Sequence, residues 1–259
     1  MLNSSGRCLL RIGLVLVLFG CGPFKTADLL LRDPEAVIAS VIGMSVENRP
    51  IDCYEMGSGG EVILMIASIH GNEKAGTPLV RQLMRFLGQN PHLLDGKKLV
   101  LIPVANPDGF FRNSRFNVDG IDLNRNFPAS NRVRNAVFGL EPMPEPETRA
   151  IIEAIEKYKP DRIIALHQPL NCIDYDGPAK EFAEYLTRHG NLPLRRIGAK
   201  PGSLGSYAGE DLNIPTVTVE FPEAVEYMTV REIWARYGDL LLAAIRFPSA
   251  GIEKIHLVK

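Results

Sequence analysis

Four ionisable residues of this chain have the types and positions to bind a divalent metal ion and to move a proton beside it. Each lies at or just beyond the end of an apolar, strand-like run; they are His70 with Glu73, His167, and Glu220. A histidine and a glutamate three positions apart also occur in ordinary surface turns, so that pair alone indicates little. Three separate runs that each end in such a residue favour one shared site.

The chemistry that these residues could perform is hydrolysis assisted by zinc. Two imidazoles and one carboxylate, from His70, His167 and Glu73, suit zinc, and three protein ligands leave a fourth position for water. Bound zinc lowers the pKa of that water and polarises a carbonyl group. Glu220 remains as a free carboxylate that can accept a proton from the water and pass it to a leaving amine. We therefore expect one zinc ion per chain and Glu220 as the general base.

Polar residues of a later segment could stabilise the reacting groups. Residues 110–128 show no hydrophobic periodicity, and long loops of this kind in compact domains are often functional. We expect Arg115 to stabilise the negative charge that develops on the carbonyl oxygen. Asn124 and Arg125 lie side by side, and a planar guanidinium offers two parallel hydrogen bonds to a substrate carboxylate.

The elements that must position these residues alternate between strand and helix. Apolar, partly β-branched runs predict strands at residues 62–66, 99–104, 162–166 and 216–219. Helical spacing predicts helices at residues 79–87, 147–158 and 179–189, and a last helix after a capping box of Thr229 and Glu232. Residues 106–109 are expected to form a turn. The alternation predicts an α/β fold with a largely parallel or mixed sheet, in which ligands bind at the carboxyl ends of the strands.

Composition limits the class of protein. The 259 residues are enough for one large α/β domain or at most two small ones, and 46% of them are hydrophobic. Lysine and arginine number 29 against 30 aspartate and glutamate, and no basic run alternates with aromatic residues. A nucleic-acid partner is therefore not expected.

The amino terminus predicts export and a membrane anchor. Two arginines precede an apolar run at residues 12–19, which is shorter than a comfortable membrane span and is typical of a secretory signal peptide. Residues 18–21, Leu-Phe-Gly-Cys, resemble a bacterial lipobox, in which Cys21 would carry the lipid. Cleavage without lipidation and an uncleaved anchor are the alternatives. Gly22, rather than aspartate, follows the cysteine, which favours the outer membrane.

These features divide the chain into four segments. We expect a signal peptide and lipobox at residues 1–21, a tether and first element at 22–50, a catalytic domain at 51–247 and a carboxyl-terminal tail at 248–259. The expected location is the periplasmic face of a bacterial envelope. An exported location would permit a disulfide between Cys53 and Cys172, and the sequence leaves that pairing open.

The motifs of the chain resemble those of the zinc carboxypeptidase family and span about residues 51–244. In the family's order they are His-Gly-Asn-Glu at 70–73, Asn-Pro-Asp-Gly at 106–109, Gly-Ile-Asp-Leu-Asn-Arg-Asn-Phe-Pro at 120–128, Glu-Pro-Glu-Thr at 145–148, His167 and Val219-Glu220. The resemblance implies a three-layer α/β/α sandwich with a mixed, mostly eight-stranded sheet. It also implies these roles: His70, Glu73 and His167 bind zinc, Glu220 is the general base, Arg115 polarises the carbonyl, and Asn124 and Arg125 hold a substrate carboxylate.

Two stretches, residues 167–174 and 201–207, look most like the murein peptide amidase branch of that family. Enzymes of this branch cleave the bond between γ-D-glutamate and meso-diaminopimelate, so the expected partner is a muropeptide. The tyrosine that closes over substrate in the pancreatic branch falls near Gly198 here, which leaves Tyr207 as a candidate substitute. The alternatives are a carboxypeptidase for other peptides, a zinc N-acyl amino acid deacylase similar to succinylglutamate desuccinylases and aspartoacylases, and a non-catalytic wall-binding lipoprotein.

Overall fold

A mixed seven-stranded sheet forms the centre of the chain in a computed structural model, which describes residues 37–141 and 144–248. The strands are β1 (Ile38–Met44), β2 (Pro50–Met56), β3 (Glu61–Ala67), β4 (Lys97–Ile102), β5 (Arg162–His167), β6 (Leu170–Asp176) and β7 (Thr216–Pro222). Their order across the sheet is β1-β2-β4-β3-β5-β7-β6. The four neighbours β4, β3, β5 and β7 run parallel, whereas β1, β2 and β6 pair antiparallel.

The four predicted strands are the four parallel ones. Their residues are almost completely buried because helices cover both faces of the sheet, and this produces the continuous apolar runs in the sequence. The three antiparallel strands were not predicted. The α/β fold class is confirmed, with seven strands in the described ranges where the family resemblance implied mostly eight.

Within the described ranges, five α-helices connect and cover the strands. They are α1 (Gly76–Gln89), α2 (Pro107–Arg112), α3 (Pro146–Tyr158), α4 (Lys180–Gly190) and α5 (Val230–Arg246). The predicted capping box starts α5, because the Thr229 side chain accepts the Glu232 backbone N–H and the Glu232 carboxylate accepts the Thr229 N–H. The prediction of a turn at residues 106–109 was wrong. Asn106 instead caps α2 by accepting the Gly109 N–H, and Pro107 occupies the first helical position.

Helices cover both faces of the sheet and complete three layers. On one face, α3 packs over a core that includes Leu64, Ile66 and Ile163. On the other face, Gly76 at the start of α1 approaches Ala67, and α1 and α4 both pack against α5. His167 lies two residues after Ala165, which belongs to the α3-side core, and therefore points to that face. Within the two described ranges, no helix is both long enough and apolar enough to span a bilayer.

The amino-terminal part of the sheet begins before the predicted start of the catalytic domain. Strand β1 lies in the segment predicted as tether and first element, and it pairs with β2 from Met44 opposite Pro50 to Ile38 opposite Glu55. Cys53 on β2 and Cys172 on β6 are buried and form no disulfide. The predicted signal peptide, the lipobox with Cys21, and residues 249–259 of the predicted tail lie outside the described residues.

Candidate active site

The first two candidate ligands lie in a tight loop between β3 and α1. Ser68, the first residue after β3, has a left-handed backbone conformation with φ of 52°. Its hydroxyl donates to the Glu73 carbonyl at 3.1 Å and lies 2.9 Å from the Thr77 hydroxyl of α1. The Glu73 N–H closes the turn by donating to the His70 carbonyl at 3.1 Å. The loop is therefore held at both ends, and His70 and Glu73 are held with it.

Gly71 lets this loop pack directly against α2. A Cβ atom at Gly71 would lie 2.0 Å from the carbonyl carbon of Gly109 and 2.3 Å from the nitrogen of Phe110. Both are backbone atoms, which cannot rotate away as a side chain can. The Gly71 N–H also donates to the Arg115 carbonyl at 3.4 Å. A glycine between the two ligand positions is therefore a steric requirement of this loop.

The structure brings His70, Glu73 and His167 together in one buried cluster. One ligand atom from each lies within 4.8 Å of the others. The three residues are only 4%, 6% and 3% exposed, respectively. The Nδ1 atom of His70 lies 2.7 Å from one Glu73 carboxylate oxygen, and Nδ1 of His167 lies 2.7 Å from the other. His167 reaches the cluster as the last residue of β5, which is the neighbour of β3 in the sheet.

This donor set fits a zinc ion. Two imidazoles and one carboxylate converge with no fourth protein ligand among the described residues, as in catalytic zinc sites. The other ring nitrogen of His70, Nε2, donates to Asp122 at 3.1 Å. A carboxylate behind a ligating histidine fixes the orientation of the ring and raises its basicity. Nδ1 is therefore the nitrogen of His70 that faces the metal position.

Hydrogen bonds and charges within the cluster shift the pKa values of its members. Burial alone would lower the pKa of His70, but hydrogen bonds to Asp122 and Glu73 raise it above its usual value. Burial alone would raise the pKa of Glu73, but the charge of His167 and hydrogen bonds from both imidazoles hold it well below the usual range. The carboxylate is thus ionised, as a metal ligand must be.

Glu220 lies beside this cluster without being part of it. It lies on β7, directly opposite His167 in the register of the two strands. Its carboxylate accepts the Leu170 N–H at 3.4 Å. Burial raises the pKa of Glu220, the charge of His167 opposes this rise, and the nearby Glu73 adds to it. A half-buried carboxylate with a raised pKa is a stronger base than a surface glutamate, as a general base requires.

Arg115 lies next to the metal ligands and is held by Asp122. The Nε and Nη2 atoms of Arg115 donate to one Asp122 oxygen at 3.1 and 3.0 Å. Its Nη1 donates to the Glu73 carboxylate at 3.3 Å. The positive charge is therefore fixed at the edge of the cluster. Asp122 was quoted in the sequence motif but given no role, and it connects the metal ligands to this arginine.

Asn124 and Arg125 follow Asp122 in a 3₁₀ turn at Leu123–Arg125. The Asn124 side-chain amide lies 3.5 Å from Nε2 of His167, and its oxygen accepts the Leu204 N–H at 2.9 Å. Arg125 donates to the Asn124 carbonyl at 2.5 Å, and burial lowers the pKa of its guanidinium. Both residues line the same cavity as the cluster.

One cavity of about 280 Å³ is lined by every residue predicted to bind metal, to bind substrate or to take part in catalysis, except one. The exception is Tyr207, which lies in a π-helical segment at Gly205–Asp211. Its ring stacks on Phe127 with centroids 5.9 Å apart and packs against the core rather than lining the cavity. The structure does not bring Tyr207 to the site, because the π-helical turn directs its ring into the molecule. Asp174 and Asp176 line the cavity and were not predicted.

Comparisons with known proteins agree with the site. Residues 26–182 match the family described as zinc carboxypeptidase. Murein peptide amidase A of Escherichia coli K12 is 34% identical over 177 residues, which cover 61% of this chain and 70% of that protein. The Vibrio campbellii enzyme of the same name is 28% identical over 220 residues, covering 78% and 84%. The crystal structure of the murein-tripeptide amidase from Escherichia coli O157 has a TM-score of 0.66 at 26% identity, covering 82% of this chain and 92% of that one.

A more distant solved structure shows the same fold. Bovine thrombin-activatable fibrinolysis inhibitor, in complex with tick carboxypeptidase inhibitor, has a TM-score of 0.74 at 19% identity. The match covers 85% of this chain and 92% of that one.

Proposed function

Because this chain belongs to the zinc carboxypeptidase family and is a hydrolase, we propose that it cleaves the amide bond between γ-D-glutamate and meso-diaminopimelate in cell-wall peptides. The observation that carries this proposal is the buried cluster of His70, Glu73 and His167, with Glu220 beside it in one cavity. The relatives named murein peptide amidase support the choice of substrate. Residues of both amidase-like stretches line the same cavity.

Each side chain of this site can perform a separate step of amide hydrolysis. Zinc held by His70, Glu73 and His167 would act as a Lewis acid on the substrate carbonyl and on water. Glu220 accepts the proton of the attacking water and returns it to the leaving amine. Arg115, held by Asp122, stabilises the negative charge that develops on the carbonyl oxygen.

Asn124 and Arg125 can orient the substrate. The guanidinium of Arg125 and the amide of Asn124 lie on the same cavity wall and are suited to a carboxylate on the residue that leaves. Arg125 is partly buried, so its guanidinium is less hydrated than one at the surface. A charge-assisted hydrogen bond from Arg125 to a substrate carboxylate would therefore be stronger than the same bond in water.

The test of the mechanism is Glu220→Gln in the zinc-loaded protein. The amide keeps the size of the side chain but cannot accept the proton, so we expect kcat to fall by about 10²–10⁴-fold. Turnover is measured as release of diaminopimelate from L-Ala-γ-D-Glu-meso-diaminopimelate by mass spectrometry, and zinc content by elemental analysis. Zinc should remain bound, because Glu220 is not a ligand in the cluster.

Glu223→Gln is the matched control, since Glu223 is an exposed carboxylate three residues later on the same segment. It should leave turnover unchanged. Full activity of Glu220→Gln would contradict the assigned general base. A zinc-loaded wild type that releases no diaminopimelate but cleaves another peptide or an N-acyl amino acid would move the protein to one of the other two enzyme classes considered. A protein that binds wall peptides without cleaving any of these would support the non-catalytic alternative.

We also propose that the chain is exported and anchored through a lipid on Cys21. The support is the order of charged, apolar and small residues before Cys21 in the sequence. Buried acyl chains contribute about 0.8 kcal/mol per methylene to anchoring. Cells expressing the full chain should incorporate labelled palmitate and keep the protein in the membrane fraction, whereas Cys21→Ser should abolish the label. A labelled Cys21→Ser protein would contradict the lipid site, and the signal for an uncleaved anchor would be membrane retention without label.

A further inference from the structure

A second cavity adjoins the loop between β3 and α1 that carries the proposed metal ligands. Its volume is about 350 Å³, compared with about 280 Å³ for the catalytic cavity. Glu73 of the loop lines the catalytic cavity, whereas the next two residues, Lys74 and Ala75, line the second one. The Ala75 N–H also donates to Oε1 of Gln168, a residue of the catalytic cavity, at 2.9 Å. The loop therefore forms part of the wall of both cavities.

The second cavity combines buried apolar residues with two opposite charges. Ala75, Val225 and Ile233 line it and are each at most 6% exposed. Lys74 and Glu226 line it as well, and neither side chain forms an ion pair with another residue of the described ranges. A small ligand that carries both a negative and a positive group, with little apolar bulk between them, therefore complements this cavity.

The ammonium group of Lys74 is positioned by an aromatic ring. Its Nζ atom lies 4.8 Å from the centroid of the Phe110 ring, on the helix α2 that the loop contacts at Gly71. Attraction between the cation and the face of the ring restricts the lysine side chain. Because Lys74 is half-buried, water screens its charge less than that of a surface lysine. A carboxylate in the second cavity could therefore accept a charge-assisted hydrogen bond from Lys74.

The proposed substrate carries a carboxylate at a suitable distance from the scissile bond. A glutamate linked through its γ-carbonyl keeps its α-carboxylate free, whereas an α-linked glutamate uses that group in the main chain. Four bonds of about 1.5 Å separate the two carbons, or roughly 5 Å when extended. Lys74 directly follows Glu73, so their Cα atoms are about 3.8 Å apart, and the lysine side chain adds roughly 6 Å of reach. The α-carboxylate can therefore meet Lys74 while the γ-carbonyl lies at the metal position.

Building on the proposed function, we propose that the second cavity binds the part of the substrate that precedes the scissile bond. Lys74 binds the α-carboxylate of γ-D-glutamate, and Glu226 binds the α-ammonium group of L-alanine. Five bonds join these two groups in the substrate, so they are roughly 6 Å apart when extended. The cavity thereby selects a γ-linked glutamate with a free carboxylate and a peptide with a free amino terminus.

The experiment changes one charged group of the substrate at a time. The zinc-loaded wild type, Lys74→Met and Glu226→Gln are given L-Ala-γ-D-Glu-meso-diaminopimelate, the same peptide with neutral γ-D-isoglutamine, and the peptide with an acetylated amino terminus. For the wild type we expect kcat/KM to be about 10-fold higher with glutamate than with isoglutamine. It should be about 2–5-fold higher with the free amino terminus, a smaller factor because Glu226 is exposed.

The two variants serve as controls for each other. Lys74→Met should lose the preference for glutamate and keep the preference for a free amino terminus, and Glu226→Gln should do the reverse. Lys74→Arg, which keeps the charge, should keep both preferences. Lys157→Met is the matched control for Lys74→Met and should also keep both. Nζ of Lys157 likewise lies over an aromatic ring, that of Tyr158 at 4.4 Å, and Lys157 lines neither cavity.

Calorimetry with the dipeptides L-Ala-γ-D-Glu and L-Ala-γ-D-isoglutamine separates this inference from the proposed function. A wild type that cleaves none of the peptides would overturn the proposed bond. Tighter binding of the glutamate dipeptide, lost in Lys74→Met, would still support the second cavity as its site. The inference is overturned if the wild type lacks the preference for glutamate in both measurements. It is also overturned if Lys74→Met keeps that preference, because the carboxylate would then be bound elsewhere, and a wild type indifferent to acetylation would overturn the role of Glu226.

Discussion

Asp122 contacts both a proposed metal ligand, His70, and the arginine proposed to stabilise charge, Arg115. One of its oxygens accepts a hydrogen bond from Nε2 of His70, and the other accepts two hydrogen bonds from the guanidinium of Arg115. Burial would raise the pKa of Asp122, but the hydrogen bond and charge of His70, with Arg115, hold it well below its usual range. It is therefore a fixed anion that orients both side chains and does not itself line the cavity.

Asp122→Asn should loosen both partners at once. The amide keeps one acceptor oxygen but loses the negative charge, so we expect zinc affinity to fall by about 10–100-fold. The measurement is chelator competition, followed by kcat/KM at saturating zinc, which should remain reduced because Arg115 is also displaced.

Asp119→Asn is the control, since Asp119 is exposed in the same loop. A zinc affinity of Asp122→Asn equal to that of the wild type would show that the ring of His70 is oriented by its loop alone.

The sequence alone predicts the three proposed ligands better than it predicts the other residues that line the cavity. The cluster of His70, Glu73 and His167 could be anticipated because each ligand follows an apolar run, and the carboxyl ends of parallel strands meet at one edge. The place of Asp176 could not be anticipated. It depends on the register of β6 against β7, and nothing within a single strand specifies its partner residue.

The loop between β3 and α1 is the element on which the site depends most closely. It contributes two of the proposed ligands, His70 and Glu73, and contacts the backbone of α2 through Gly71. Gly71→Ala would force the loop away from Gly109 by about an ångström, and misplacement of that size costs about 10²-fold in activity. We expect weaker zinc binding and a kcat/KM lower by at least that factor.

Gly88→Ala is the matched control for Gly71→Ala. Gly88 lies in α1, and a Cβ atom there would meet nothing within 4 Å. Alanine is also the better helix former, so this variant should be as active as the wild type and slightly more stable. Zinc binding by Gly71→Ala at the wild-type level would contradict the steric argument for the loop.

Two of the strands that sequence reasoning missed, β1 and β6, share a physical property. Strand β6 reads Leu-Asn-Cys-Ile-Asp-Tyr-Asp, and its two aspartates, Asp174 and Asp176, are buried and line the cavity. Strand β1 is at the edge of the sheet and is largely exposed or half-buried. Neither strand forms the continuous apolar run that is typical of a strand covered on both faces, so neither was predicted from hydrophobicity. Helix α2 was missed because it is only six residues long and begins with turn-forming residues.

Folding of the whole molecule should depend on pH through Asp176. Burial, together with the charges of Asp174 on the same strand and Glu210 on the π-helical segment, raises the pKa of Asp176 to about 7, against the opposing charge of Arg196 from the loop after α4. In the unfolded chain the pKa of aspartate is about 3.9. Between these values the folded protein holds a proton that the unfolded chain releases, so this contribution to stability falls as pH rises from about 4 to 7.

Asp176→Asn removes this dependence. Near pH 4 the variant and the wild type should have similar free energies of unfolding. At pH 8 the variant should be more stable by about 1–3 kcal/mol, measured by urea denaturation of the zinc-loaded proteins. A difference that stays constant from pH 4 to pH 8 would show that Asp176 is already ionised or already paired in the folded protein.

The order of the strands also sets when the protein can acquire its metal. His167 comes 97 positions after His70 in the chain, yet their strands β5 and β3 are neighbours in the sheet. At about 5–20 residues per second, the ribosome needs roughly 5–20 s to add the third ligand after the first. Until β5 has emerged and paired, the nascent chain offers only His70 and Glu73, a two-residue site too poor to retain zinc. Retention of zinc by these three residues would therefore require that β5 has paired with β3, so a chain that holds zinc there would already have formed the centre of its sheet.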